Sequence, residues 1–463
     1  MNKIGVGVYV SALLLLVAMV IGGIFQPLYT VVAIGAGVFL ASFLWKIRTF
    51  FLFHTAIIFV FAVGIPALRL SGELGQLRLV VPAVLAMSGT ALLARVKFLA
   101  PAGLVWALVA AFLIQALATA AVMDPYQWET LALTITVVYA GLAVAGSTTK
   151  LCLWRSVAGL MIAMAAAQAA LGLFELAFLD QPLWRGGRIL PSGQSVALRN
   201  ELIPSMTRVQ GTLAHPLPYA FTLILGCALL MRSESGRRVG KFLLWALFAA
   251  AIIASGSRNA IALFVIVTLL GMIKPRQVGR FGFATFVAAI GSILALPFIM
   301  EQIDRLTGSG SVFHRMGALE SIERLIFARG FWPSVIGDGS ASTPRLFSTG
   351  LLQTDGFEAV DNQYVLTLAQ EGLIGAAILI GIFLVAFKRA DATLKLLLVA
   401  IFAECMIFDL LSWPSMAIYA WVFIGVAMGR KPARRDERGD RIAQHEERLS
   451  LALERNARLQ RAF

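Results

Sequence analysis

Apolar runs of about eighteen or more residues recur along most of this chain, and polar positions fall in narrow bands between them. Runs of that length read as transmembrane helices, because ~20 residues rising 1.5 Å each cross the ~30 Å hydrocarbon layer and satisfy their own backbone. The pattern predicts helices at about 4–23, 27–45, 49–70, 79–94, 98–123, 130–147, 153–178, 212–231, 242–255, 259–273, 281–300, 362–387, 394–411 and 415–429. The expected fold is therefore all-α and polytopic, with about 12–14 membrane helices, since the short paired runs could be re-entrant. The first run lacks a convincing A-x-A cleavage site and reads as a retained helix rather than a signal peptide.

The polar bands set the orientation. An even helix count puts both termini on one side, and Lys46, Arg48, Arg95, Lys97, Lys150, Arg155, Arg237, Arg238, Lys274, Lys388, Arg389 and Lys395 fall on that side. By the positive-inside rule it is cytoplasmic. The opposite face carries two larger segments, about 179–211 and 301–361, which are expected to be periplasmic. Those segments contain arginine and no lysine: Arg185, Arg188, Arg199 and Arg208 in the first, Arg305, Arg315, Arg324, Arg329 and Arg345 in the second, with Arg69, Arg78 and Arg258 at helix ends nearby. Guanidinium selected over ammonium suggests bidentate recognition of a phosphate or carboxylate. Biased codon usage is the plain alternative.

One arginine interrupts an apolar run. In AIIASGSRNAIALFV, residues 251–265, Ser257-Arg258 reads as a turn on the outer side between two helices too short for a full span. An arginine recessed at a helix break, beside helix N-terminal N–H groups, makes an anion cradle. An arginine that merely reaches up to the interface is the rival reading.

Composition agrees with the pattern: 59% hydrophobic, 14% charged and mean hydropathy +0.83. The net charge of +14 follows topology and the basic tail at 430–463, and no nucleic-acid motif accompanies it. Cys152, Cys227 and Cys405 lie singly and read as core residues, and the four histidines have no metal-ligand spacing, so neither a metal nor a cofactor is expected. Cytoplasmic loops are too short for a nucleotide-binding domain and carry no P-loop. A site would therefore face outward, where a synthetic reaction needs a donor activated beforehand, such as a lipid-linked pyrophosphate.

Five motifs follow in order. TRVQGTLAHPLPYA has Arg208, Gly211, Thr212 and His215; GSRNA has Arg258; HRMGALESIER opens with His314 and Arg315; VIGDGSAS has Gly337 and Gly339; DNQYVLTLAQEGLIG has Asn362, Tyr364, Glu371, Gly372 and Gly375. In order, spacing and expected membrane side they resemble the O-antigen ligase and polymerase superfamily of bacterial envelope glycosyltransferases. The motifs cover about residues 200–390, and topology alone covers the rest. The resemblance implies a metal-independent, inverting glycosyl transfer at the periplasmic face of the inner membrane, from a glycan on undecaprenyl pyrophosphate. It places Arg208, Arg258 and Arg315 on the pyrophosphate, Gly211, Thr212, His215, Asn362 and Tyr364 at the substrate, and a chain-length-regulating membrane protein among the partners besides the lipid bilayer and the lipid-linked glycan.

One departure matters. Ligases of that superfamily have a histidine before the asparagine, proposed as general base; here the residue is Asp361. A carboxylate can accept a proton from a sugar hydroxyl, so Asp361 becomes the candidate base, with Glu358 and His314 as further candidates. The change favours a polymerase joining lipid-linked repeat units over a ligase transferring the glycan to lipid A core or to protein. A lipid-linked oligosaccharide flippase is the rival of another class, although the arginines gather on one face and no internal repeat is visible. His54 reads as a satisfied core residue. Glu175 and Asp409 fall near outer helix ends, where they could simply reach water, and Glu404 lies deeper without an evident role.

Overall fold

The computed structural model describes residues 37–70, 77–120, 125–179, 200, 203, 206–213, 215–233, 238–272, 310–340, 342–353 and 358–429, with the backbone alone for 64–70, 77–80, 125–127, 129 and 310–315. The expected helices at 4–23 and 281–300, most of 27–45, and the tail at 430–463 lie outside the described residues.

Every regular element among the described residues is helical: α1 Ile47–Leu70, α2 Leu77–Val96, α3 Ala102–Ala120, α4 Pro125–Lys150, α5 Trp154–Phe178, α6 Pro216–Arg232, α7 Arg238–Ala254, α8 Arg258–Met272, α9 Gly310–Glu323, α10 Phe331–Ile336, α11 Thr343–Ser348, α12 Gln363–Arg389, α13 Ala392–Cys405 and α14 Pro414–Gly429. Four segments, Ala102–Ala120, Thr130–Lys150, Trp154–Phe178 and Gln363–Arg389, are long and apolar enough to cross a membrane, and five shorter apolar helices accompany them. The outward faces of α3 and α8 expose Trp106, Leu113, Leu117, Leu269 and Met272, a surface suited to lipid rather than water. These features mark a membrane protein.

Inside, α6 and α14 are buried along nearly their whole length. α14 lies along α4, which also packs on α2, while α6 is surrounded by α5, α7, α8 and α13. His54 is fully buried among Phe39, Phe43, Phe50 and Phe53, with Nε2 3.0 Å from the Ser42 hydroxyl. Cys152, expected in the core, is instead exposed at a left-handed turn between α4 and α5.

α12 differs from the uninterrupted helix that its sequence predicts. Gly372 sits at φ 66°, ψ −167°, and splits it. Three carbonyls before the break, those of Leu368, Ala369 and Gln370, find partners in the loop around α10. Arg329 donates from Nη2 to Leu368 O at 2.6 Å and from Nη1 to Ala369 O at 3.0 Å. The N–H groups of Asp338 and Gly339 donate to Ala369 O and Gln370 O, both at 3.0 Å. A Cβ on Gly337, at φ 84°, would lie 2.2 Å from Gln370 O, so only glycine fits there. Asp338 accepts from Arg329 at 2.7 Å and from Arg345 at 2.6 Å. A second small core, including Leu325, Leu346, Val360 and Leu366, forms beneath this loop.

Arg329 is 3% exposed and holds both a buried carboxylate and two helix carbonyls, whereas Arg345 is 48% exposed. Arg329→Met is therefore expected to destabilise the protein by ~3–5 kcal/mol, and Arg345→Ala by at most ~1 kcal/mol. Thermal unfolding of the two variants in the same detergent checks the contrast; equal effects would mean that the helix break does not depend on Arg329.

Candidate active site

The segment carrying Arg208 is fixed from two sides. From α5, the Glu175 carboxylate accepts the N–H of Gly211 at 3.0 Å and of Gln210 at 3.4 Å. Gln168 accepts the Thr212 N–H at 3.2 Å and donates to its hydroxyl at 2.8 Å, and that hydroxyl donates to Val63 O at 3.2 Å. Gly211 has φ 51°, and a Cβ there would meet Gln168 at 2.5 Å. Gly211 and Thr212 thus clamp the strand-like stretch that presents Arg208. Glu175 is buried, contrary to the reading that it reaches water; its side-chain oxygen is taken up by backbone N–H groups.

From the other side, Arg208 Nε donates to Ser255 O at 2.9 Å, and Asn200 donates to Ala254 O at 3.2 Å. Ser255 and Gly256 form the turn between α7 and α8. Ser257 caps α8 by accepting the Ala260 N–H at 3.4 Å, and Arg258 is the first residue of α8 and exposed. The turn falls where the sequence places it, and it brings the Arg208 guanidinium to within a few residues of Arg258.

His215 caps α6: its Nδ1 accepts the Leu217 N–H at 3.3 Å. Burial, and then the nearby Arg208 charge, push it down to about 3, so it is neutral and its hydrogen sits on Nε2. Its ring lies 5.8 Å from Phe408 and 5.2 Å from Trp413. Those rings belong to an irregular stretch between α13 and α14, where the sequence predicts helix to about 411 but α13 ends at Cys405. The stretch is tied to the start of α12. Asn362 caps α12 by accepting the N–H groups of Tyr364 and Val365, and it donates to Met406 O at 3.1 Å. Gln363 accepts the Leu411 N–H at 2.7 Å. Tyr364 packs on Phe383 rather than facing open space.

This arrangement places Asp409 close to Asp361. Trp413 Nε1–H donates to Asp409 Oδ1 at 3.2 Å. Burial first, and then the Asp361 charge, push the Asp409 carboxyl up to about 8. The two carboxyls thus form a pair that keeps one proton at neutral pH, the arrangement of an acid beside a base. Asp409 also lines a cavity of about 790 Å³ bounded by α2, α3, α4, α12 and the 409–414 stretch, with Gln115, Glu358, Gln370 and Glu371 on its polar wall and Phe112, Leu133 and Trp421 on its apolar one.

The expected residues therefore fall into groups. Arg208 lies beside His215 and bonds the turn that precedes Arg258; Asp361 lies near Asp409, which the sequence reading left as a residue reaching water; Gly211, Thr212 and Asn362 hold backbone in place. His314 and Arg315 lie in the first turns of α9, and their side chains are outside the described residues. Gln115, Gln168 and Glu371 were not singled out as site residues. For Gln115 and Gln168 the signal was a lone glutamine in an apolar helix, and Glu371 stood in the last motif without a role.

The shift of Asp409 has a consequence for stability. Between pH ~3.8 and ~8 the folded chain holds a proton that the unfolded chain has released, so this group's contribution is lost as pH rises through that window. Asp409→Asn, which still accepts from Trp413, is expected to melt at the parent's temperature near pH 4 and roughly 2–4 °C or more above it at pH 8. A gap that does not widen with pH would mean an ordinary, solvated carboxylate.

Compared with models of known protein families the chain matches none, and no curated protein matches it. What stands is the class, an all-helical membrane protein, together with the local geometry of these helix ends.

Proposed function

We propose that the protein is a periplasm-facing, metal-independent, inverting glycosyltransferase that polymerises undecaprenyl-pyrophosphate-linked oligosaccharide repeat units into O-antigen or exopolysaccharide. The supporting observation is the joining of two features at one set of helix ends: guanidinium groups at the break between α7 and α8, and a coupled carboxylate pair beside a cavity, with the His215, Phe408 and Trp413 rings between them.

In this reading the acceptor hydroxyl oxygen attacks the anomeric carbon of the donor sugar. The C–O bond to the pyrophosphate breaks and its electron pair leaves with the diphosphate. The hydroxyl proton passes to Asp361. Arg208 and Arg258, with Arg315, take up the charge that develops on the leaving diphosphate, the role a divalent ion fills in other transferases. In this reading the turn shared by α7 and α8, with Arg258 at the first position of α8, lies at the depth of a polyprenyl headgroup.

The test is a product gel. The purified chain is incubated with its own organism's undecaprenyl-pyrophosphate repeat unit alone. A ladder supports the polymerase. Product formed only after a lipid A core or a protein acceptor is added would make it a ligase, and no product under any condition would favour a lipid-linked oligosaccharide transporter.

A further inference from the structure

The cavity differs in chemistry from the arginine site. Its polar wall holds Gln115, Gln370, Glu371 and Asp409, its apolar wall includes Phe112 and Trp421, and no lysine or arginine among the described residues lines it. A diphosphate has nothing to pair with there. Amide and carboxyl groups, each able to offer or accept several hydrogen bonds, suit a ligand carrying many hydroxyls. Aromatic rings on the facing wall suit the apolar faces of a pyranose. The volume of about 790 Å³ is in the range of small-ligand sites.

Two details point to an occupant. Gln115 is 4% exposed in the middle of α3 and donates to Glu371 Oε1 at 2.7 Å, but its own Oε1 has no partner. A buried amide oxygen in that state lacks a donor, and a sugar hydroxyl is one. Glu371 is the last residue before the break in α12, so the break itself turns a carboxyl toward the cavity.

We propose that this cavity is a glycan-binding subsite for neutral or amine-bearing sugars that rejects acidic ones. A uronic acid would bring a further carboxylate beside Glu358 and Glu371 with no cation among the described lining residues to meet it, whereas an amine would supply a countercharge. In the glycosyltransferase reading, on which the assignment of a role rests, this is the acceptor subsite, and Asp409 joins it to the carboxylate pair.

The experiment is a binding measurement on the full chain in lipid nanodiscs, by saturation-transfer NMR and calorimetry, with no lipid-linked donor present. The probes are the trisaccharide of N-acetylglucosamine, its deacetylated amine form, and trigalacturonate. The first two are expected to bind, and trigalacturonate at least about tenfold more weakly. Glu371→Gln, which preserves shape and the partner at Gln115, is expected to bring the amine and neutral forms to within about twofold of each other. Gln115→Ala is expected to weaken both about five- to tenfold. Trigalacturonate binding as well as the others, no binding by any probe at millimolar concentration, or unchanged affinities in both variants would each overturn the subsite. The product gel separates the two ideas. Selective sugar binding without a ladder or ligation product leaves the subsite standing and removes the transferase, while a ladder from a chain that binds none of the probes does the reverse.

Discussion

Asp361→Asn is expected to lower polymer formation about 10²–10⁴-fold. Asparagine has nearly the shape of aspartate and cannot take a proton, so the variant removes the chemistry and leaves the packing. It also removes the negative charge facing Asp409, whose own carboxyl should then titrate closer to the ordinary range. Asp409→Asn is expected to cost less, because there Asp361 keeps its basic oxygens and loses a neighbour that holds a proton at neutral pH. Asp361→His, which introduces the residue found in ligases of the superfamily the motifs resemble, should retain more activity than Asp361→Asn. The measurement is single-turnover extension of a preformed lipid-linked chain, with melting temperature as the control for folding. Activity of Asp361→Asn within about threefold of the parent would place the base elsewhere. His215 would not replace it, since its Nδ1 already accepts a backbone N–H and burial keeps the ring neutral; His314 would be the next group to test.

The apolar periodicity was enough to read most of the helices. Pro216 and Pro414 each open the helix that follows them, and the Ser257 turn between α7 and α8 lies within a residue or two of its expected place, because capping residues and prolines act locally. The two breaks that shape the site were not legible in the same way. MIFDLL, residues 406–411, has helical apolar spacing, yet the chain leaves the helix after Cys405. It can do so because Asn362 takes Met406 O and Gln363 takes the Leu411 N–H, which supply from α12 the partners that a helix would have supplied from within. Pro414, with its steric demand on Trp413, was the only local signal. The break at Gly372 has the same origin. Its freed carbonyls are capped by Arg329, Asp338 and Gly339, roughly forty residues earlier, and nothing near Gly372 announces them.

The site was legible as residue types more than as partners. Arginine without lysine pointed to an anion, and the Asp361 departure pointed to a carboxylate base. That Asp409 would face Asp361 depends on the break after Cys405, and that Glu175 would be buried depends on its capturing Gly211 N–H; both are tertiary events. Of the two residues expected at the substrate, Asn362 caps α12 and ties Met406 to it, and Tyr364 packs on Phe383.

The other large effect is expected at the arginines. Arg258→Ala should reduce product about 10²–10³-fold, the usual loss when one preorganised donor to a developing anion is removed. Arg258→Lys should recover only part of this, since an ammonium keeps the charge and loses the planar fork that matches two phosphate oxygens. Arg258 is exposed at the first position of α8, so neither change should disturb the helix, and melting temperature should stay within a degree or two of the parent. Arg208 is different: its Nε is already committed to Ser255 O, so Arg208→Lys should lose both the phosphate contact and the link that holds the turn, and it should fall closer to Arg208→Ala than the lysine variant at 258 does to its alanine. If both residues hold one diphosphate, the double alanine variant should lose less than the product of the single losses, because groups acting on a shared ligand couple. Losses that multiply would assign the two arginines to separate ligands. Full activity in Arg258→Ala and Arg315→Ala alike would remove the diphosphate from this end of the bundle, and with it the reason for a chain to break an apolar run with Ser257-Arg258.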